Sequence, residues 1–130
     1  MKTITELHFM GGPIFMFTLT GMLIIILALA IVTYLLLLKK HDSDERLLKN
    51  LMLSIIYIGG FASVWGILGQ GLGIYQALYA IQMAADISPA IIFGGIMISM
   101  IAPLYGIIIL LLASLFWFGL KIKYNLRPTN

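Results

Sequence analysis

Hydrophobic and polar positions follow one another along the chain in long blocks rather than at short intervals. Three apolar runs, at about residues 13–38, 51–81 and 89–120, contain no Asp, Glu, Lys, Arg or His. At 1.5 Å per residue, a helix formed by any of these runs is long enough to cross about 30 Å of hydrocarbon. The pattern predicts an all-α integral membrane protein, in which three transmembrane helices form a single transmembrane domain over residues 1–130.

Proline and charged residues indicate where these helices begin. Pro13 follows two glycines and Pro89 follows Ser88, so both prolines suit the first turn of a helix. Asp42 and Glu45 have the spacing of a capping box, which predicts that the second helix begins near residue 43 with a short extension outside the membrane. The second and third helices are therefore expected to be longer than a bilayer requires.

Basic residues are distributed unevenly between the predicted loops. Residues 39–50 and the tail after residue 120 carry seven of the eight Lys and Arg side chains, whereas the loop at residues 82–88 carries none. The positive-inside rule therefore predicts a cytoplasmic C-terminus and an N-terminus on the opposite, outer side of the membrane.

Composition excludes several classes of function. The chain is 62% hydrophobic and 10% charged, and it has no cysteine, so disulfides, iron–sulfur clusters and thiol catalysis are excluded. His8 and His41 are far apart and near helix ends, which predicts no metal site. No nucleophile–base pair or nucleotide motif is present, so we expect neither an enzyme nor a cofactor. The net charge is +3, but the basic residues that produce it flank the apolar spans, so it does not indicate nucleic-acid binding.

The second and third predicted helices each carry a face of small residues. At 3.6 residues per turn, the face on the second helix covers about 80° of the helix circumference and the face on the third about 100°. The members are Gly59, Ser63, Gly66, Gln70, Gly73 and Ala77 in the second helix, and Gly95, Ser99, Ala102, Pro103, Gly106 and Ala113 in the third. Because three helices of one copy have little interior to bury both faces, we interpret them as packing around a central element of a homo-oligomer, with plain intramolecular packing as the alternative.

Few polar groups lie within the apolar runs. An unpaired Gln70 amide would be costly in hydrocarbon, so Gln70 is expected to face a partner, another copy or water, or else to bond across two helices of the chain. Pro103 has no N–H and predicts a kink with a free carbonyl at Ser99.

Asp86 is expected to support the start of the third helix. A proton-carrying side chain is absent from the spans themselves.

Three segments resemble the MotA/TolQ/ExbB proton-channel family: GGPIFMFTLTGMLIIILALAIV, GILGQGLGIYQAL and GGIMISMIAPLYGIIILLLASLFWF. Residues 66–74 follow the family's GLLGTVxGM pattern most closely. The resemblance implies a homo-oligomeric ring in the bacterial inner membrane, a pentamer in known members, in contact with membrane lipids. It also implies that the ring encloses the helices of a single-span ExbD/TolR-like partner, whose membrane aspartate carries the proton.

The function implied by this resemblance is that of a ring-forming subunit in a motor or energy-transduction complex driven by the proton-motive force. The residues then expected to line the pore are Gly59, Ser63, Gly66, Gln70, Gly73, Gly95, Ser99, Ala102, Pro103 and Gly106. The chain departs from the family pattern at Gln70 and Pro103, where the family has threonines, and at Ile98, where it has a glutamate. The alternative is a non-conducting scaffold of the same fold. The missing membrane carboxylate disfavours a small multidrug-type transporter, and nothing supports a holin-like pore.

Overall fold

The fold was analysed in a computed structural model that describes residues 12–39, 44–84, 86 and 88–127. The helices are α1 (Pro13–Leu38), α2 (Glu45–Met83), α3 (Pro89–Ser99) and α4 (Ile101–Asn125). Only Met100 separates α3 from α4, so together they form one long apolar segment, Pro89–Asn125. Throughout the described residues the regular structure is helical, and three segments are long and apolar enough to cross a membrane. The all-α, three-span prediction is confirmed.

Two prolines mark helix starts as predicted. Pro13 opens α1 directly after Gly12, whose φ of +86° is a left-handed conformation that glycine adopts without strain. Pro89 opens α3 after Ser88, which is the N-cap residue by position but makes no capping hydrogen bond through its side chain. The α1 helix ends at Leu38, the residue predicted from the apolar pattern.

The second helix begins later than predicted. Its N-cap is Asp44 and its first residue is Glu45, whereas the predicted cap, Asp42, lies outside the described residues. Asp44 is itself a residue type favoured at N-caps, and this start places the Glu45 carboxylate in the first turn, where the helix dipole stabilises a negative charge. The helix ends at Met83, two residues beyond the predicted end at Ile81.

The interruption predicted at Pro103 is present as a break at Met100. The Met100 N–H donates to the carbonyl oxygens of Ile96 and Met97, at 3.2 and 3.3 Å, rather than making a single helical bond. Because Pro103 has no N–H, the Ser99 carbonyl lacks its usual donor. The Ser99 hydroxyl does not turn toward that carbonyl, since it donates to the Ile96 carbonyl at 2.7 Å.

The helices form a three-membered bundle in which α2 and α4 run antiparallel. The α4 helix packs along α2 more extensively than α1 does, and α1 lies in the groove between them. The centre is filled by fully buried aliphatic side chains from all three helices: Leu19, Ile26, Leu48, Ile55 and Ile109. Only 22–28% of each apolar window is buried inside the chain, so most of its apolar surface is available to lipid or to other proteins.

Candidate functional site

Glycines bring the backbones of α2 and α4 into direct contact at two points. A Cβ atom added at Gly66 would lie 2.6 Å from the carbonyl oxygen of Ala102 and 2.9 Å from the Cα of Pro103. A Cβ atom added at Gly106 would lie 2.6 Å from the carbonyl oxygen of Ala62. Since both positions have backbone atoms opposite them, neither has room for a side chain.

The two segments stay in contact toward the end of the bundle where α2 meets α3, but less tightly. A Cβ atom at Gly73 would lie 2.8 Å from the Cβ of Ser99, too close to fit unchanged, whereas one at Gly95 would lie at an ordinary contact distance of 3.6 Å from the Cβ of Ala77. The two small faces therefore pack on each other within one chain. The expectation that a single chain has too little interior to bury both faces is wrong, because faces without bulk let two helix axes approach until each buries the other. Intramolecular packing, kept as the alternative, accounts for the buried members of the small faces, and packing around a central element stays a prediction for Ser63 and Gln70.

This packing determines where the ten residues predicted to line a pore lie. Six are buried between α2 and the segment formed by α3 and α4: Gly59, Gly66, Ser99, Ala102, Pro103 and Gly106. The other four are half-buried: Ser63, Gln70, Gly73 and Gly95. A lumen requires more than one copy of the chain, so the pore-lining role stays a prediction, and the half-buried residues are those with surface left to present.

The α1 helix covers only one side of the α2–α4 pair. The rings of Phe15 and Trp65 lie 5.5 Å apart, and the hydroxyl oxygens of Thr20 and Tyr105 lie 3.4 Å apart. On the helical wheel of α2, Trp65 lies about 100° to one side of the direction that faces α4. Ser63 and Gln70 lie about 60° and 40° to the opposite side of that direction. They are therefore on the side of the pair that α1 leaves uncovered.

We call this uncovered side the α1-distal face. By the same helical geometry, its residues are Gly60, Ser63, Ile67, Gln70 and Ile74 of α2 and Ile107, Leu110 and Ser114 of α4. No atom comes within 4 Å of a Cβ placed at Gly60, and Ile67 is 56% exposed. The middle of this face is therefore open surface, although it belongs to an apolar run.

Two side chains on the α1-distal face leave their polar groups unpaired. The Gln70 amide and the Ser63 hydroxyl make no side-chain hydrogen bond to any residue that the structure describes. The other serine and threonine hydroxyls in the helices each donate to a carbonyl three or four residues earlier: Thr18, Thr20, Thr33, Ser54, Ser99 and Ser114. An unpaired amide in hydrocarbon costs several kcal/mol, on the order of 2–7. Gln70 therefore needs a hydrogen-bonding group from outside this chain.

A cleft of ≈ 390 Å³ lies at the N-terminal end of α1. It brings together three of the predicted residues, Gly73, Gly95 and Ser99, and its wall includes Gln76 and Ile98. Gln76 was missed because it lies on the α1 side of α2, away from the small face, and only its polarity within an apolar run sets it apart. Ile98, which the resemblance would put in place of the family's glutamate, lines this cleft with an apolar side chain.

The chemistry available at these sites is hydrogen bonding rather than proton exchange. Within the described residues no group of three or more His, Cys, Asp or Glu side chains is arranged to hold a metal ion. His8 and His41 lie outside those residues. The α1-distal face offers an amide, which both donates and accepts, and a hydroxyl. It therefore suits a polar or ionisable group that another molecule supplies.

Comparison with known proteins identifies a matching family. The sequence model of the MotA/TolQ/ExbB proton channel family matches residues 37–127. The match includes α2, α3 and α4 and leaves out almost all of α1. No curated protein and no solved structure matches the chain.

Proposed function

The chain belongs to the MotA/TolQ/ExbB proton channel family, and from that membership we propose that it is the ring-forming subunit of an inner-membrane complex that couples proton flow to mechanical work. It is a multi-pass membrane protein of a channel family rather than of an enzyme family. In the proposal, several copies surround the helices of a single-span ExbD/TolR-like partner. The basic end of each copy faces the cytoplasm, and the N-terminus lies in the periplasm.

The observation that carries the proposal is the unpaired Gln70 amide on the α1-distal face. Gln70 lies within the glycine-spaced segment that the family pattern matches, and α1 does not cover it. A ring that turns the α1-distal face toward its axis, with α1 outside against lipid, would give the amide a neighbour. The pore-lining role is thereby proposed for Ser63 and Gln70, while the buried glycines hold α2 and α4 together.

The proton carrier in this proposal comes from the partner. Residues 51–81 and 89–120 contain no ionisable Asp, Glu, Lys, Arg or His side chain. An amide can donate a hydrogen bond to an ionised carboxylate and accept one from a protonated carboxyl group. Gln70 is therefore suited to contact a partner's aspartate in both of its protonation states.

The test is proton uptake by liposomes that contain the chain together with the single-span, aspartate-bearing protein that co-purifies with it. We expect uptake when both proteins are present, and a loss of at least tenfold for Gln70→Leu. The matched control is Gln82→Leu, which makes the same change at an exposed position near the end of α2. Equal uptake by the Gln70→Leu and Gln82→Leu variants would remove Gln70 from the pathway, and a purified protein that is monomeric would overturn the ring.

A non-conducting scaffold of the same fold is the second candidate. It is favoured by the apolar residues at two family positions, Ile98 in the wall of the cleft and Pro103 buried against Gly66. A scaffold of this kind would form the ring and bind the partner, yet the liposomes would take up no protons. The same experiment therefore separates the two candidates.

A further inference from the structure

Two basic side chains from the end of the chain are held against the end of α1. The Lys123 Nζ lies 3.9 Å from the centroid of the Tyr34 ring. The Arg127 Nη2 donates hydrogen bonds to the carbonyl oxygens of Leu36, Leu37 and Lys39, at 3.1, 3.3 and 2.7 Å. Both side chains therefore lie on the side of the chain that faces α1 as the chain leaves α4. We call Tyr34, Lys123 and Arg127 the basic seam.

The cations of the basic seam have no anionic partner. Neither Lys123 nor Arg127 forms an ion pair with a carboxylate in the part of the chain that the structure describes. Arg127 uses only Nη2 in its bonds to α1, so its Nε and Nη1 donors make no hydrogen bond to described residues. Lys123 likewise keeps its three N–H donors, because an aromatic face attracts the charge without accepting a conventional hydrogen bond.

The basic seam lies at the level where the apolar surface of α1 ends. Ile31, Leu35 and Leu38 are 60%, 54% and 54% exposed, and the α1 helix ends at Leu38. Lipid acyl chains cover such a surface, and the lipid phosphates lie just beyond its end, where tyrosines and basic residues accumulate. The exposed apolar side chains of α1 thus lie next to the two cations of the basic seam, as the acyl chain of a phospholipid lies next to its phosphate.

We propose that the basic seam binds the headgroup phosphate of an anionic phospholipid, whose acyl chain lies along the exposed side chains of Ile31 and Leu35. The phosphate receives hydrogen bonds from the free donors of Lys123 and Arg127. Because the Tyr34 ring and the α1 carbonyls already hold both cations in place, binding loses less side-chain entropy than it would at mobile lysines. This site does not depend on ring formation or on proton conduction.

The other lysines at this end provide a contrast. Lys121 lies over the Trp117 ring at 4.5 Å, and Lys49 lies 5.9 Å from the Tyr124 ring, so neither is held against Tyr34 or the end of α1. If lipid binding came only from the overall positive charge of this end, removing any of these lysines would weaken it equally. If the basic seam is a defined site, removal of Lys123 must weaken lipid binding more than removal of Lys121 or Lys49.

The experiment measures how many phosphatidylglycerol molecules the purified chain retains in native mass spectrometry, against phosphatidylcholine with the same acyl chains. We expect the wild-type chain to retain phosphatidylglycerol preferentially. Lys123→Gln should weaken this retention about fivefold, the loss expected for one basic residue near an anionic surface. The matched control, Lys121→Gln, removes the same charge two positions away, where the ammonium lies over the Trp117 ring outside the basic seam, and should leave retention within about twofold of wild type.

Equal losses for Lys123→Gln and Lys121→Gln would overturn the site, as would equal retention of the two lipids by the wild-type chain. Lys123→Arg keeps the positive charge and should retain phosphatidylglycerol as the wild type does. This variant keeps the proposal falsifiable if Lys123→Gln weakens the fold. A fivefold loss for the folded Lys123→Arg chain would also contradict the proposal.

Discussion

Gly66 and Gly60 are on the same helix and have opposite surroundings. A Cβ atom at Gly66 meets the backbone of Ala102 at 2.6 Å, whereas one at Gly60 meets nothing within 4 Å. We expect Gly66→Ala to lower the free energy of unfolding by about 2 kcal/mol, because the two helices must move apart to admit the methyl group. Gly60→Ala should raise it by about 0.5 kcal/mol, because alanine is the better helix former. Unfolding by SDS titration measures both, and equal effects would contradict the close contact at Gly66.

Trp65 has a buried indole N–H without an acceptor among the described residues. Its ring packs against Phe15 and Phe61, at centroid distances of 5.5 and 6.0 Å. Trp65→Phe should change the free energy of unfolding by less than about 1 kcal/mol, because the lost contact area is offset by removal of an unpaired donor. Trp65→Ala should cost about 3 kcal/mol, since it also removes the ring. A large loss in Trp65→Phe, measured by the same titration, would indicate that the N–H has a partner.

At the residue scale, the helical period located the small face and the amide but not their neighbours. A glycine at Gly66 indicates that something approaches closely, and the approaching group was the backbone at Ala102 rather than a separate central element. In the sequence, Gln70 stands out only because it is polar. Whether α1 covers it depends on which side of the α2–α4 pair α1 packs against. That choice rests on contacts such as Phe15 with Trp65, which lie far apart in the sequence.

At the element scale, Arg127 links the tail of the chain to the end of α1. Its guanidinium donates hydrogen bonds to the carbonyls of Leu36 and Leu37 in the last turn of α1 and to that of Lys39 directly after it, as basic side chains do at helix C-termini. Arg127→Ala should lower the free energy of unfolding by about 1.5–3 kcal/mol, the range for a charged hydrogen-bond donor. Amide hydrogen exchange should speed up around Leu36 and Lys39. Lys121→Ala is the control, because its ammonium rests on a ring instead, and faster exchange in that variant too would contradict a specific cap.

The break at Met100 can be tested through Pro103. Pro103→Ala restores the N–H that the Ser99 carbonyl lacks, so α3 and α4 should join into one straighter helix. Spin labels at Ile91 and Leu115, both exposed, would report this as a distance that lengthens toward about 36 Å, the value for a straight helix of that length. An unchanged distance distribution would show that packing against α2, and not the proline, sets the break.

Helix starts were partly predictable from local chemistry. Pro13 and Pro89 sit where proline is tolerated, and both helices begin there. The start of α2 was misplaced because Asp42 and Asp44 are both suitable N-cap residues, and only the position of the helix decides between them. The cap that Arg127 provides had no local signal, because its partners lie 88–91 residues away.

At the scale of the whole molecule, the apolar pattern was enough to predict three membrane helices, because charge-free runs of this length have few alternatives. The assembly around them was not predictable in that way. The ring and its partner come from the family resemblance, and the small faces taken as support for an axis turned out to pack within one chain. What now supports an axis is the α1-distal face, with its open surface at Gly60 and its unpaired Gln70 amide.

The central claim is that the α1-distal face of each copy points toward a shared axis, where the copies together surround the partner's helices. The sequence has no cysteine, so single cysteines can be introduced one at a time. Ile67 lies on the α1-distal face, and the next residue, Leu68, lies about 100° around the helix. The two side chains are similarly exposed, at 56% and 47%.

The most direct measurement is cross-linking of Ile67→Cys and Leu68→Cys chains in membranes with a short bis-maleimide. The account predicts that Ile67→Cys gives cross-linked dimers, because residue 67 of neighbouring copies lines the same lumen around the partner's helices, whereas Leu68→Cys remains monomeric because residue 68 points away from that lumen. The account would be contradicted if Ile67→Cys remained monomeric, or if both variants cross-linked to the same extent.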